Sequence, residues 1–128
     1  MEFENEFKNN LGEKSSKEKF YKIGEIASYL GVHIQTLRIY DREGLLCPKR
    51  TDTNRRGYSE DDIGRAKVIL YLTRSLGVNL NGVKIILKFL EKSRLKPALA
   101  LELLSDVAKQ AGIGDTEIEN NLKRFDKD

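Results

Sequence analysis

The sequence predicts a mostly α-helical fold interrupted once by a short β-hairpin, and three observations support that expectation. Apolar residues recur at helical spacing from residue 20 onward. Glycines 31, 44 and 77 stand just past three of those runs, where a helix ends easily in left-handed backbone. Only Leu45 to Tyr58 breaks the periodicity, with Pro48 and the turn residues Asp52, Thr53 and Asn54. A chain of 128 residues with 39% hydrophobic content suits one small domain with appendages.

The elements follow in order. Residues 1–19, rich in Glu, Lys, Asn and Ser, read as a disordered tail, although Phe3, Phe7 and Leu11 stand four apart. Ile23, Ile26, Ala27 and Leu30 predict a helix that Gly31 stops, and Leu37 and Tyr40 share one face of a second that Gly44 stops. The turn between them is only Gly31-Val32-His33, so the two helices form a tight angled pair. Ala27 supplies the small residue such a crossing needs, and Ile26, Leu30, Val32, Leu37 and Tyr40 supply the contacts that fix the angle. An ordinary corner in a helical bundle shares part of this pattern, and a helix-turn-helix uses all of it.

After the hairpin, Ser59-Glu60-Asp61-Asp62 carries a capping box and acids suited to the positive end of a helix dipole. The helix it opens has Ile63, Ala66, Ile69, Leu70, Thr73 and Leu76 on its buried face, and Gly64 inside it implies close packing. Asn79 caps a further helix with a core stripe of Leu80, Val83, Ile86, Leu87 and Leu90. Pro97 then opens a helix running to about Gln110, with Leu99, Leu103, Val107 and Ala111 every four residues and Leu101 and Leu104 widening the face. Spacing alone leaves open whether that face packs inward or on a second subunit. A last capping box, Thr116 to Glu119, precedes a stripe of Ile118, Leu122 and Phe125.

Charge narrows the function. Residues 1–19 carry 4 basic and 5 acidic side chains, residues 20–92 carry 13 and 8, and residues 93–128 carry 6 and 7. The basic excess of 13 − 8 = +5 therefore sits in the middle, the footprint of a nucleic-acid surface. On a helix-turn-helix, the outward face of the second helix carries His33, Gln35, Thr36, Arg38, Ile39 and Arg42. Arg forks onto guanine or grips phosphate, and Gln pairs bidentately with adenine. The hairpin holds Lys49, Arg50, Arg55 and Arg56, which fits a basic wing reaching flanking phosphates, with Tyr58 as a hydroxyl donor. The candidate DNA-binding residues are thus His33, Gln35, Thr36, Arg38, Tyr40, Arg42, Arg50, Arg55, Arg56 and Tyr58. Each arginine taken alone also fits a solvated surface residue paired with Glu25, Asp41 or Glu43.

Other classes find no foothold. His33 is the one histidine and Cys47 the one cysteine, so no nucleophile–histidine machinery, metal site or intrachain disulfide is expected, and no cofactor. No apolar run reaches the ~18 residues a membrane helix needs, and residues 1–19 lack a signal-peptide core, so a cytoplasmic location is expected. Cys47 reads as a small core residue.

These residues resemble the MerR-type transcriptional regulators. The markers are Tyr21-Lys22-Ile23-Gly24-Glu25-Ile26-Ala27, the run from Thr36 to Leu46, Pro48-Lys49-Arg50-Thr51, Arg56-Gly57-Tyr58-Ser59 and Leu76-Gly77-Val78-Asn79-Leu80. His33, Gln35, Thr36, Leu37 and Arg38, with Gly77 to Val83, are most similar to the heat-shock repressor branch, although Ile34 replaces that branch's Pro and Gly57 an apolar wing residue. The resemblance implies a winged helix-turn-helix domain over 20–90, followed by C-terminal helices over 91–128 that serve dimerisation or partner binding. It also implies a repressor of chaperone genes that binds an inverted-repeat operator in double-stranded DNA as a homodimer, with the chaperone DnaK as co-repressor. An architectural factor that bends DNA for recombination, and an adaptor whose basic face binds an acidic protein, stand as alternatives.

Overall fold

The structure is a computed structural model and describes residues 19–50, 53 and 56–114. The N-terminal tail over 1–18, the wing residues Asn54 and Arg55, and the capping box and stripe after Gly114 lie outside the described residues.

Helix α1 spans Ile23–Leu30. The Glu25 carboxylate accepts the Lys22 backbone N–H at 2.8 Å, satisfying a group that no helical carbonyl can reach. Gly31 stops the helix at φ 71°, a left-handed conformation in which a side chain would be strained. Helix α2 spans Ile34–Arg42. Without the proline at Ile34, its start is held by His33, whose Nδ1 accepts the Gln35 backbone N–H at 3.0 Å. Leu37 at 0% exposure locks α2 onto α1, where Ile26, Ala27 and Leu30 are buried.

Strands β1 (Lys49–Arg50) and β2 (Arg56–Gly57) pair antiparallel, with Lys49 opposite Gly57 and Arg50 opposite Arg56. Backbone pairing then passes to the segment before α1, through Tyr21 N–H to Tyr58 O at 2.8 Å and Tyr58 N–H to Tyr21 O at 2.9 Å. The wing is thereby anchored to the start of the helix-turn-helix. Gly57 is part of this seam, because a Cβ there would stand 2.8 Å from the Phe20 Cβ.

Helix α3 spans Glu60–Leu70, and its capping box forms as expected. The Ser59 Oγ accepts the Asp62 N–H at 3.2 Å, and the Asp62 carboxylate accepts the Ser59 N–H at 2.9 Å. The sequence predicts one helix from there to Gly77, whereas the final turn, Tyr71–Ser75, is π-helical. The Thr73 hydroxyl donates to the Ile69 carbonyl at 2.9 Å where the ladder widens, the side-chain competition that loosens helices at Ser and Thr. Val68, Ile69, Leu70, Tyr71 and Leu72 are all buried, so this segment is the spine of the domain rather than an amphipathic helix.

Helix α4 spans Leu80–Lys92, capped by Asn79, which accepts the Gly82 N–H at 2.8 Å. Helix α5 spans Pro97–Gln110 and packs on α3. Gly64 is where the two helices meet, because a Cβ there would come within 2.8 Å of the Pro97 Cβ. The face of α5 turned inward is Ala100, Leu101, Ser105 and Ala108. The four-residue repeat is turned outward, leaving Leu99, Leu103 and Val107 at 55%, 49% and 51% exposure.

Candidate nucleic-acid interface

The buried side of α2 is used up by Leu37 and Tyr40, so its remaining positions are set by helical geometry. His33, Gln35, Arg38, Ile39 and Arg42 are exposed, and Thr36 is half-buried. Because His33 Nδ1 accepts a backbone N–H, the neutral imidazole carries its proton on Nε2 and presents a donor. The exposed set therefore offers a donor at His33, a donor–acceptor amide at Gln35 and guanidinium forks at Arg38 and Arg42. Those are the functions needed to address base edges and phosphates.

The wing stands beside this helix. Arg56 Nη2 lies 3.4 Å from Asp41 Oδ2, an exposed pair that orients the guanidinium toward α2. Strand register puts Arg50 directly across from Arg56. Like charges opposed on a two-stranded ribbon repel, and the Asp41 carboxylate beside Arg56 offsets part of that repulsion. Lys49 is exposed beside them.

Two sequence-predicted residues are corrected. Tyr58 is 2% exposed and Tyr40 is 5% exposed, so both rings belong to the core and neither presents a surface to DNA. Burial raises the pKa of each phenol, with Thr73 and Arg74 opposing the shift at Tyr40 and Asp41 adding to it at Tyr58. Alternation along a two-stranded wing does not reveal which face a third segment covers, and here that segment is Tyr21. Cys47 is the reverse case: expected in the core, it is exposed, with Sγ donating to the Asp41 carbonyl at 3.7 Å. Desolvation and Asp41 push its pKa up, away from the thiolate form.

One cation was missed by sequence reasoning. Arg74 is exposed on the π-helical turn, and its charge opposes the rise in the Tyr40 pKa. A helix drawn straight through to Gly77 gives no signal for that position. Elsewhere, a cleft of about 670 Å³ between α1, α3 and α5 is lined by Tyr21, Tyr29, Glu25 and the buried Lys67, and none of the predicted site residues borders it. Among the described residues, no cluster of His, Cys, Asp and Glu is arranged to hold a metal ion, and no helix is long and apolar enough to cross a membrane.

Taken together, two angled helices, an anchored basic wing and a basic, polar outward face define a winged helix-turn-helix transcription regulator. The chain belongs to the MerR HTH family of regulatory proteins, which it matches over residues 21–90. It is 40% identical over 83 residues to a Streptomyces coelicolor protein carrying the name heat shock protein HspR, covering 65% of this chain and 55% of that one. It is 36% identical over 74 residues to the HTH-type transcriptional regulator ZntR homolog of Haemophilus influenzae, covering 57% of this chain and 54% of that one. The crystal structure of the HTH-type transcriptional regulator SkgA from Caulobacter crescentus superposes with a TM-score of 0.59 at 28% identity, covering 74% of this chain and 67% of that one. The chain spans about half the length of these two curated relatives. Its relatives are transcription regulators rather than enzymes.

Proposed function

We propose that this chain is a cytoplasmic repressor of heat-shock or chaperone genes that reads an inverted repeat in operator DNA as a homodimer. The exposed polar and cationic side of α2, Gln35, Arg38 and Arg42 beside a basic wing, carries the reading, because it offers the donors and guanidinium forks that base edges and phosphates accept. The likeness to HspR favours heat-shock targets and, by the same token, a DnaK-type chaperone as co-repressor. The chain acts by binding alone, without cofactor.

In this reading Gln35, Thr36, Arg38 and Arg42 address bases and adjacent phosphates in the major groove, and His33 donates from the start of α2. Arg50 and Arg56, joined by Arg55, grip flanking phosphates. The outward stripe of α5 offers the surface for a second copy.

Selection from a random duplex library at near-physiological salt tests this directly. Recovery of an inverted repeat is the expected result, and its half-site spacing gives the subunit geometry. Arg38→Ala then lowers affinity for that site by about 1–3 kcal/mol if Arg38 reads a base. A pool without a motif, bound only through a steep salt dependence, overturns the repressor reading and leaves an architectural or adaptor role.

A further inference from the structure

The cleft between α1, α3 and α5 has no part in the DNA-binding surface, since none of that surface's residues borders it. Its volume of about 670 Å³ has room for two phenyl rings, and its walls include Tyr21, Tyr29, Ile63 and Leu101. The first three are only half-buried, so apolar area at the site stands in water. Charge in the cleft is layered by depth. Lys67, 6% exposed, donates to the Tyr29 hydroxyl at 3.5 Å and stands 5.3 Å from the centre of that ring. Glu25 and Glu60 are exposed at the rim, and the Glu25 carboxylate already accepts the Lys22 backbone N–H. Attraction is stronger in the interior than at a rim screened by water, so the deep cation selects the occupant. A fitting occupant brings apolar rings, an acid for the depth and a base for the rim.

We infer that the cleft receives the chain's own N-terminal segment over residues 3–8. Phe3 and Phe7 supply the rings, Glu6 turns to Lys67, and Lys8 meets the rim acids Glu25 and Glu60. Glu6-Phe7-Lys8 thus offers all three kinds of group in consecutive positions. The chain enters the described structure at Lys19, and Tyr21, just beyond, is itself part of the cleft. From Phe7 to Tyr21 is 21 − 7 = 14 residues, at up to ~3.3 Å each, and α1 spans only ~12 Å, so the segment reaches back with ease. A tether of that length holds it beside the cleft at about millimolar effective concentration, which a free ligand has to exceed. The C-terminal segment is worse placed. The described residues end at Gly114, where a Cβ would stand 3.3 Å from Leu76 and 3.8 Å from the Tyr71 hydroxyl. The cleft is bordered by Pro97, Ala98 and Leu101 at the opposite end of α5, ~20 Å away along that helix.

A fluorescence experiment on the full-length chain tests this. The chain has no tryptophan, so Phe7→Trp makes the inserted indole a unique reporter. Expected are blue-shifted emission and slower quenching by acrylamide than for N-acetyltryptophanamide. Glu6→Lys, added to Phe7→Trp, sets a cation against the buried ammonium, and Ala98→Phe instead adds a ring at the cleft wall. Either change should shift the emission to the red and raise quenching several-fold. Residue 6 lies outside the folded elements and Ala98 is exposed, so the fold should hold, and circular dichroism with thermal unfolding verifies this. Phe125→Trp alone is the comparison, and its indole should not respond to Ala98→Phe.

An indole at position 7 that is freely quenched in the otherwise unaltered chain overturns the proposal. One that is protected there but indifferent to both changes puts the segment elsewhere and overturns it too. If Ala98→Phe exposes the indole of Phe125→Trp instead, the C-terminal segment is the occupant. If protection disappears on dilution, the segment belongs to a second copy, and the intrachain assignment fails.

Discussion

Helices α2 and α5 each bury one side against the domain and turn the other outward, and the outward sides could hardly differ more. That of α2 is Gln35, Arg38 and Arg42, with Ile39 as its single large apolar residue, whereas that of α5 is Leu99, Leu103 and Val107. Both surfaces lie in water in the free protein, so the composition of each reports what is meant to cover it. Polar and cationic groups lose little by exposure and gain most from a charged, hydrated ligand. Exposed leucines gain only from another apolar surface, and contiguous apolar patches of this kind mark protein contacts. The wing extends the contrast, since Lys49, Arg50 and Arg56 add cationic, exposed side chains beside α2.

The largest effect expected from this contrast comes from truncating one leucine on each side of it. Leu37→Ala, beneath the outward face of α2, should cost about 2–5 kcal/mol in urea unfolding, because it opens a void in a fully buried site. Leu103→Ala on α5 should change monomer stability by within about 0.5 kcal/mol, since the side chain is half in water already. A large stability loss at Leu103 in dilute protein would erase the distinction between the two helices.

Next in size is Gly64→Ala. The substitution gains about 1 kcal/mol of helix propensity but drives a Cβ to 2.8 Å from the Pro97 Cβ, so a net loss of about 1–2 kcal/mol is expected. Amide exchange should show that loss concentrated in α5. Uniform loss, or a gain, would mean that α5 is not seated on α3 through this contact.

The smallest effect concerns Glu91, whose carboxyl is held below its usual value by the hydrogen bond from Arg65. A folded-state value below the unfolded one adds stability above the ordinary glutamate range, near pH ~4.3, that is lost as pH falls through the folded value. Glu91→Gln should therefore be slightly less stable than the unaltered chain at pH 7, and the gap should close on acidification. The pair is exposed, so the gap is small. A gap that widens toward low pH contradicts the assignment.

What could be read from the residues themselves divides along chain distance. The capping boxes and caps at Ser59, Asp62 and Asn79, the helix stops at Gly31 and Gly77, and the hairpin at Pro48 depend on neighbours within a few positions, and they appear as expected. The outward set on α2 follows from Leu37 and Tyr40 turning inward, so most of the candidate interface was legible too. Features that join distant segments were not. The bridge from Tyr21 to Tyr58 buries a ring that alternation would leave on the surface, and the Gly64–Pro97 contact explains a glycine that helix propensity disfavours. On α5, a four-residue repeat was prominent, yet it is the smaller Ala100, Ser105 and Ala108 that face α3, because close packing against a helix carrying Gly64 selects small residues. The π-helical turn likewise depends on how Thr73 competes for backbone carbonyls, which spacing does not encode.

Arg65 joins three parts of the molecule: from α3, its Nε donates to the Leu45 carbonyl just after α2 at 2.7 Å, and its Nη1 reaches Glu91 on α4 at 3.0 Å. Lys84 adds a second cross-brace from α4 to Glu43 at the end of α2. Mechanically, these struts leave little slack between α4 and the helix that carries Gln35, Arg38 and Arg42. A tilt imposed on α4 is delivered to α2 as a tilt, so the two helices act as one lever.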